Sequence, residues 1–173
     1  MKIAILHLSD MHIDNGNYQW LTKKTEQIVS AVWNDFSECG KIIIVVSGDI
    51  ANSGKKEQYD YAKNFFKALL RSFAEKKLGD TELDNKIICV PGNHDCDFDI
   101  NVNARQMLLP SIRSNAGMVD SSVYDVISAV QNNFKEFAKE IMIDNAFSLS
   151  INNNVKINAG GKTILFRLYN TAW

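Results

Sequence analysis

Three short apolar runs divide the first half of the chain, and polar residues follow each of them. The runs cover residues 3–8, where only His7 interrupts the apolar sequence, 42–46 and 87–90. A run of about four to eight apolar residues bounded by turn-forming residues is typical of a strand that is buried on both faces. We therefore predict three central strands, and the first of them spans residues 2–8.

Helical patterns lie between and after these runs. Apolar residues that recur every three to four positions predict helices over 20–37, 53–75 and 121–143. Residues 99–115 are predicted to form a loop with a short helix that breaks at Pro110, because proline removes a backbone donor from a helix interior. The helical segments thus alternate with the strands only in the first half of the chain.

The end of the chain returns to a strand pattern. We predict strands over 147–151 and 155–157, separated by three asparagines, and over 163–169, with a hairpin turn at Gly160-Gly161. In the first half, the order strand, helix, strand, helix, strand predicts parallel pairing with right-handed crossovers. The predicted fold class is therefore α/β, in a single domain over residues 1–173.

Composition limits the class of protein, the partners and the cellular compartment that the sequence favours. Of the 173 residues, 46% are hydrophobic and 23% are charged, which is ordinary for a globular chain in water. The formal net charge of -1 argues against a general electrostatic attraction to nucleic acid or to an anionic membrane. No run approaches the roughly 20 apolar residues of a membrane span. Cys39 and Cys89 are interpreted as reduced, buried thiols, which fits a cytoplasmic protein.

Metal-type ligands follow each of the three predicted strands. Asp10 and His12 follow the first strand, Asp49 follows the second, and Asn93 follows the third. Because open α/β sheets place their sites at the carboxyl ends of the strands, we expect these side chains to meet there. A mixed set of oxygen and nitrogen ligands favours Mn, Fe, Zn or Co. Two such ions can activate a bridging water and hold the oxygens of a phosphoryl group.

Two residues directly after Asn93 suit proton transfer. We predict that His94 donates a proton to a leaving alkoxide and that Asp95 orients its imidazole. Each motif alone is common loop chemistry, so the prediction depends on the three occurring together at strand ends. His7 is interpreted as a core histidine or as support for a ligand. Asn52 is interpreted as a helix cap or a substrate contact.

The motifs Asp10-Met11-His12, Gly48-Asp49 and Gly92-Asn93-His94-Asp95 together resemble those of the calcineurin-like metallophosphoesterases. This resemblance implies a four-layer β-sandwich of two mixed sheets flanked by helices. It also implies that Asp10 and His12 bind one divalent ion, that Asp49 bridges two, and that Asn93 binds the second. By the same resemblance, His94 contacts the phosphate and protonates the leaving group, with Asp95 supporting it.

The resemblance also indicates a branch of the family. The sequence Ile50-Ala51-Asn52-Ser53 after Asp49, and Asp95 where protein phosphatases have Glu, are more similar to bacterial phosphodiesterases and exonucleases. The implied function is hydrolysis of a phosphodiester by a hydroxide that two metal ions activate. The alternative is a module of the same fold that binds or regulates without catalysis.

The last motifs of the family are missing from this chain. The family completes its site with a later histidine and a Gly-His-x-His motif, but none of the three histidines follows Asp95. We therefore expect an N-terminal part of a longer bacterial protein, with further domains after Trp173. That part alone is expected to hold one metal ion or none and to show little activity. The sequence after Trp173 would distinguish the enzyme from the non-catalytic module, and the class of phosphoester stays open.

Overall fold

Strands and helices alternate in the first half of the chain, and helices followed by a hairpin form the second half. The computed structural model describes residues 2–76, 86–115, 119–142 and 152–172. In chain order the elements are β1 (Ile3–Leu8), α1 (Tyr18–Lys23), α2 (Thr25–Phe36), β2 (Lys41–Ser47), α3 (Lys56–Lys76), β3 (Lys86–Val90), α4 (Val102–Ser114), α5 (Ser121–Ser128), α6 (Asn132–Ile141), β4 (Asn152–Ala159) and β5 (Lys162–Tyr169). Short 3-10 turns occur at Asn93–Asp95 and Ala129–Gln131.

β1, β2 and β3 form a parallel sheet in that order. Leu8 pairs with Val46, and Ser47 pairs with Val90, so the three strands end almost level with one another. The loops that follow the strands consequently leave the same edge of the sheet. The predicted α/β class and the parallel pairing are confirmed.

The hydrophobic core lies between this sheet, the helices and the hairpin. β2 is its most buried strand, since Ile42, Ile43 and Ile44 are almost wholly buried. The buried positions of α3 recur every three or four residues, as in a helix with one face in the core: Tyr59, Ala62, Phe66, Leu69 and Phe73. Burial of each large apolar side chain contributes about 1.5–3 kcal/mol. The loops at the strand ends therefore project from a well-packed base.

β1 is more exposed than its apolar sequence indicates. Ile5 is 51% exposed, and His7 is exposed as well, so buried and open positions alternate along the strand. Such alternation is what a strand covered on one face produces. The prediction that both faces of β1 are covered is therefore wrong. The interpretation of His7 as a core histidine is wrong too, because its Nε2 lies at the surface, 2.7 Å from Oγ of Ser47.

The helices depart from the prediction in three places. The segment predicted as one helix over 20–37 is divided at Lys24 into α1 and α2. The segment over 121–143 is interrupted by the 3-10 turn between α5 and α6. α4 continues through Pro110 instead of breaking there. A proline removes one hydrogen bond from a helix, but its φ angle is compatible with the helical conformation. In addition, the buried Arg105 of α4 donates a hydrogen bond to the carbonyl of Ile127, which connects α4 to α5.

No helix in the described part of the chain is long and apolar enough to span a bilayer.

β4 and β5 pair antiparallel around the turn at Gly160-Gly161, as the sequence predicts. β4 begins at Asn152, so the asparagines predicted to separate two strands belong to this strand. The predicted strand over 147–151 lies outside the described residues. Val155 and Leu168 are buried in the same core as the parallel sheet, so the hairpin forms part of the fold.

Candidate metal centre

The loops after β1 and β2 hold backbone conformations that favour glycine, although larger residues occupy them. The φ angles are 53° at Asp10, 44° at His12 and 53° at Asp49. A left-handed backbone costs a residue with a Cβ about 1–2 kcal/mol, and such strain is concentrated at functional sites. Hydrogen bonds between the loops support it: the N–H of His12 donates to the carbonyl of Asp49 at 3.0 Å, and the N–H of Asp10 donates to that of Gly48 at 3.3 Å.

Three side chains meet where these loops approach the loop after β3. One ligand atom from each of His12, Asp49 and His94 lies within 4.8 Å of the others. The two imidazole rings meet edge to face, with centroids 4.4 Å apart and an interplanar angle of 86°. Two imidazoles and a carboxylate suit a divalent transition metal ion.

The imidazole of His12 supplies independent support for a metal ion. Its Nδ1 is buried and has no hydrogen-bond partner among the described residues. A buried polar atom without a partner destabilises the fold by about 1–3 kcal/mol. A bound ion would satisfy that atom, so the residues present fit a metal ion.

Asp10 and Asn93, the other two predicted ligands, have different surroundings. Asp10 is exposed and is not in the group of three, and its carboxylate accepts a hydrogen bond from Oγ of Ser9 at 2.5 Å. Asn93 is exposed at the start of the 3-10 turn and lines a cleft together with His94. Of the predicted ligands that are histidine or aspartate, the fold brings His12 and Asp49 together, and His94, which was predicted as an acid, joins them.

Asp49 also connects the loop after β2 to the loop after β3. Its Oδ1 accepts a hydrogen bond from the N–H of His94 at 2.9 Å. Gly92 lies so close that a Cβ there would be 2.1 Å from Oδ1 of Asp49 and 2.6 Å from its backbone nitrogen. Any larger residue at position 92 would displace this carboxylate. The glycine of the Gly-Asn-His-Asp motif is therefore required by the close approach of the two loops.

The imidazole of His94 is oriented by a backbone group. Its Nδ1 lies 2.7 Å from the carbonyl oxygen of Asn52. A carbonyl can only accept, so Nδ1 carries a hydrogen, and Nε2 is left to bind a metal ion or, in the imidazolium, to donate a proton. Sequence reasoning missed this partner. The sequence indicated this partner only through the position of Asn52 in the loop that carries Asp49. The interpretation of Asn52 as a helix cap is wrong, because α3 begins four residues later, at Lys56.

Asp95 does not have the role that the sequence predicts for it. It is wholly buried and has no hydrogen bond to the imidazole of His94, which contacts the carbonyl of Asn52 instead. The prediction that Asp95 orients His94 is therefore wrong. The physical reason is that the 3-10 turn at residues 93–95 directs the carboxylate of Asp95 into the protein and leaves His94 exposed.

Asp95 instead joins the loops after β2 and β3. Its carboxylate accepts hydrogen bonds from the N–H groups of Ile50 at 3.2 Å, Ala51 at 2.9 Å and Gly92 at 2.9 Å, and from the hydroxyl of Tyr59 at 3.1 Å. Burial raises the pKa of Asp95, and these four hydrogen bonds oppose the rise. The carboxylate thus acts as a buried support for the loops that carry the candidate ligands.

A family model described as calcineurin-like phosphoesterase matches residues 3–168, from the first residue of β1 almost to the end of β5. The chain belongs to this family. The family implies phosphoester hydrolysis with divalent metal ions, and the group of His12, Asp49 and His94 offers donors for such an ion. No curated protein and no solved structure matches the chain.

A cleft adjoins the candidate ligands of this phosphoesterase. Its volume is about 280 Å³, and it is lined by Asn93 and His94 together with Lys55, Phe98 and neighbouring residues. Another pocket, of about 340 Å³, lies between α2 and α3 and contains none of the candidate site residues. The cleft beside His94 is the better place for a substrate, because it touches the residues that carry the chemistry.

The thiols of this phosphoesterase take no part in the metal site. Cys39, Cys89 and Cys96 are buried and form no disulfide among the described residues, as predicted for the first two. Sγ of Cys96 donates to the carbonyl of Ala172 at 2.7 Å, and the side chain of Gln131 donates to the same carbonyl at 2.7 Å. These bonds hold the segment after β5 beside the loop that follows β3.

Proposed function

We propose that this protein hydrolyses phosphodiesters with the help of divalent metal ions bound at the carboxyl ends of β1, β2 and β3. The observation that carries the proposal is the buried Nδ1 of His12, which lacks a hydrogen-bond partner among the described residues and belongs to a residue grouped with Asp49 and His94. Membership of the calcineurin-like phosphoesterase family supports the reaction class. The preference for diesters is supported by the sequence after Asp49, which lacks the pattern of the protein phosphatases.

In this proposal, Asp10, His12, Asp49 and Asn93 would hold the divalent ions. His12 and Asp49 belong to the group of three side chains whose donor atoms lie together. When bound, ions such as Mn, Fe, Zn or Co supply Lewis-acid activation of water and of the phosphoryl group. The protein positions these donors through the strained loops and through the hydrogen bond from the N–H of His94 to Asp49.

His94 is proposed as the proton donor to the leaving alkoxide. Its exposed ring can reach a substrate in the cleft, and the carbonyl of Asn52 holds Nδ1, so Nε2 would deliver the proton. Asp95 does not contact His94 or the substrate in this proposal, and it acts by supporting the loop that contains Asn52. Cys39 and Cys89 are buried and form no disulfide in the described part of the chain, which supports a cytoplasmic setting for this chemistry. Localisation of the tagged protein outside that compartment would contradict it.

Metal binding tests the proposal directly. We expect the chain to bind Mn²⁺ in calorimetry, and His12→Gln and Asp49→Asn to weaken that binding by at least about tenfold, in the range seen when groups that support a metal are removed. His7→Gln is the matched control, because His7 is an exposed histidine of β1 whose Nε2 lies within hydrogen-bond distance of Ser47 and which is not in the group of three. Absence of Mn²⁺ binding to the unaltered chain, or equal binding by all variants, contradicts the proposal.

Turnover tests the role of His94. In the protein, His94→Ala should lower the hydrolysis of bis-p-nitrophenyl phosphate about 100-fold or more and leave the metal content largely unchanged. Loss of metal in this variant would instead assign His94 to the ligand set. Protein that binds metal but hydrolyses no phosphoester would favour the non-catalytic module.

A further inference from the structure

An aromatic ring borders the cleft beside the candidate metal centre. Phe98 is 53% exposed and lines the cleft together with His94. A single exposed phenylalanine is ordinary on a protein surface. What distinguishes Phe98 is how firmly its neighbours hold it.

Two carboxylates on either side of Phe98 are bound by one lysine. Nζ of Lys55 lies 2.7 Å from Oδ1 of Asp97 and 2.5 Å from Oδ2 of Asp99. The N–H of Asp97 donates to the carbonyl of Val130 at 2.7 Å. The two carboxylates raise the pKa of Lys55, so both ion pairs form at neutral pH. Together with the hydrogen bond to Val130, these contacts connect the loop that carries Phe98 to two other parts of the fold.

A cation supports the ring itself. The guanidinium carbon of Arg105 lies 5.4 Å from the ring centroid of Phe98. Arg105 is only 7% exposed, and it also donates to the carbonyl of Ile127, so it cannot easily move away. The arginine contacts the ring by a cation–π interaction, yet about half of Phe98 remains open. A rigid, exposed ring loses little entropy when it binds a second planar group.

The charge and size of the cleft limit what it can hold. The carboxylates of Asp97 and Asp99 are matched by Lys55 and Arg105, so there is no excess positive charge to bind a second phosphate. A volume of about 280 Å³ suits one small group and not a polymer. Asn52 is exposed and lines the same cleft. Its amide nitrogen donates to Oδ2 of Asp14 at 3.3 Å, and its amide oxygen can accept a hydrogen bond from the edge of a heterocycle. These features favour a neutral, planar group with polar edges.

We propose that this cleft is a subsite for a nucleobase of the substrate and that Phe98 stacks on the base. The proposal rests on the proposed function for the position of the phosphate, next to His94. It specifies the substrate as a phosphodiester of a nucleoside. Phe98 would then favour substrates that carry a base, since every base has a face that can stack on an aromatic side chain.

Equilibrium binding provides the first test. In calorimetry with Mn²⁺ present, the unaltered chain should bind adenosine monophosphate about tenfold more tightly than ribose 5-phosphate, which lacks the base. Phe98→Leu should abolish that difference, and Phe98→Tyr should retain it. Trp20→Leu is the matched control, because Trp20 is also exposed (60%), with Nζ of Lys24 5.4 Å from its ring centroid, but it does not line the cleft.

Three outcomes of this titration would overturn the proposal. They are equal affinity of the unaltered chain for the two ligands, an undiminished preference in Phe98→Leu, and no measurable binding of adenosine monophosphate. A loss of preference in Trp20→Leu as large as that in Phe98→Leu would overturn it as well, since the effect would then not depend on the cleft.

Kinetics separate this subsite from the proposed function. With thymidine 5′-p-nitrophenyl phosphate as the substrate of the full-length protein, Phe98→Leu should raise KM about tenfold and change kcat little. An unchanged KM contradicts the subsite while hydrolysis itself supports the proposed function. If no diester is hydrolysed but the preference for adenosine monophosphate depends on Phe98, the proposed function fails and the base-binding subsite stands.

Discussion

The loops of the candidate metal centre and the turn of the C-terminal hairpin both contain left-handed backbone conformations, but different residues adopt them. The hairpin uses Gly160 and Gly161, at φ 57° and 75°, whereas the centre uses Asp10, His12 and Asp49 at similar angles. Glycine adopts this conformation without strain. The strained positions of the centre are therefore ones where the sequence places candidate metal ligands instead of glycine.

The two regions also differ in what holds them. The hairpin turn is closed by its own neighbours in sequence, since Ala159 pairs with Lys162. The centre is held by residues distant in sequence, above all by Asp95, which accepts hydrogen bonds from the loop after Asp49. Strain in the centre is thus offset by buried contacts of the folded state. Three predictions test this difference between the two regions.

The largest effect is expected from removal of the buried support. Asp95→Ala leaves the N–H groups of Ile50, Ala51 and Gly92 without their carboxylate acceptor, so it should lower the free energy of unfolding by about 3 kcal/mol or more. The hydroxyl of Tyr59 keeps an acceptor, because it also lies 3.0 Å from the backbone carbonyl oxygen of Asp95. The shift is measured by urea denaturation.

Tyr59→Phe is the control for this variant. It removes one of the four donors and should lower the free energy of unfolding by only about 1 kcal/mol. If the two variants lose the same stability, Asp95 does not support the loops in the way described.

A smaller effect should isolate the strain at Asp49. Asp49→Gly and Asp49→Ala both remove the carboxylate, but only glycine is relaxed at φ 53°. The glycine variant should therefore be more stable than the alanine variant by about 1–2 kcal/mol, which reverses the usual order of these residues. Thermal unfolding of the two variants side by side provides the measurement. An alanine variant that is equally or more stable means that the backbone at Asp49 is not strained.

The smallest effect is expected at the hairpin. A Cβ at Gly161 would meet no atom within 4 Å, so Gly161→Ala adds only the backbone strain of φ 75° and should lower the free energy of unfolding by about 1 kcal/mol. Gly161→Asn should lower it less, because asparagine tolerates the left-handed region better. Denaturation midpoints compare these variants. If Gly161→Ala lowers the free energy of unfolding much more than Asp49→Ala does, the view that strain is concentrated in the centre is wrong.

Most of the core could be predicted from apolar patterns alone. The continuous run of β2 and the helical spacing of α3 both reflect burial, which depends on which residues are apolar and how far apart they are. β1 has an equally apolar run, but its Ile5 is half exposed, because a pattern cannot tell which faces the rest of the fold will cover. The prediction that the helix breaks at Pro110 was wrong for a similar reason, since the packing of α4 on α5 outweighs the hydrogen bond that proline removes.

The candidate site was predictable in position and only partly in detail. Asp49 and His12 approach each other because parallel strands place their carboxyl ends side by side, which the order of the elements already indicates. The partner of His94 was not predictable, because a backbone carbonyl has no signature in the sequence. Asp95 was assigned to the wrong neighbour, since adjacency in the chain does not show which way a 3-10 turn directs a side chain.

The α/β class and the edge of the sheet where the candidate ligands lie could be predicted from the amino-acid sequence alone. Those features depend on local properties: hydrophobic period, turn chemistry and the donor atoms of each side chain. Only the tertiary structure decided that His94 joins His12 and Asp49, that Asp95 supports the loops from within, and that Lys55 and Arg105 fix Phe98 beside them. These contacts join residues far apart in the chain, and their geometry is set by how the whole core packs.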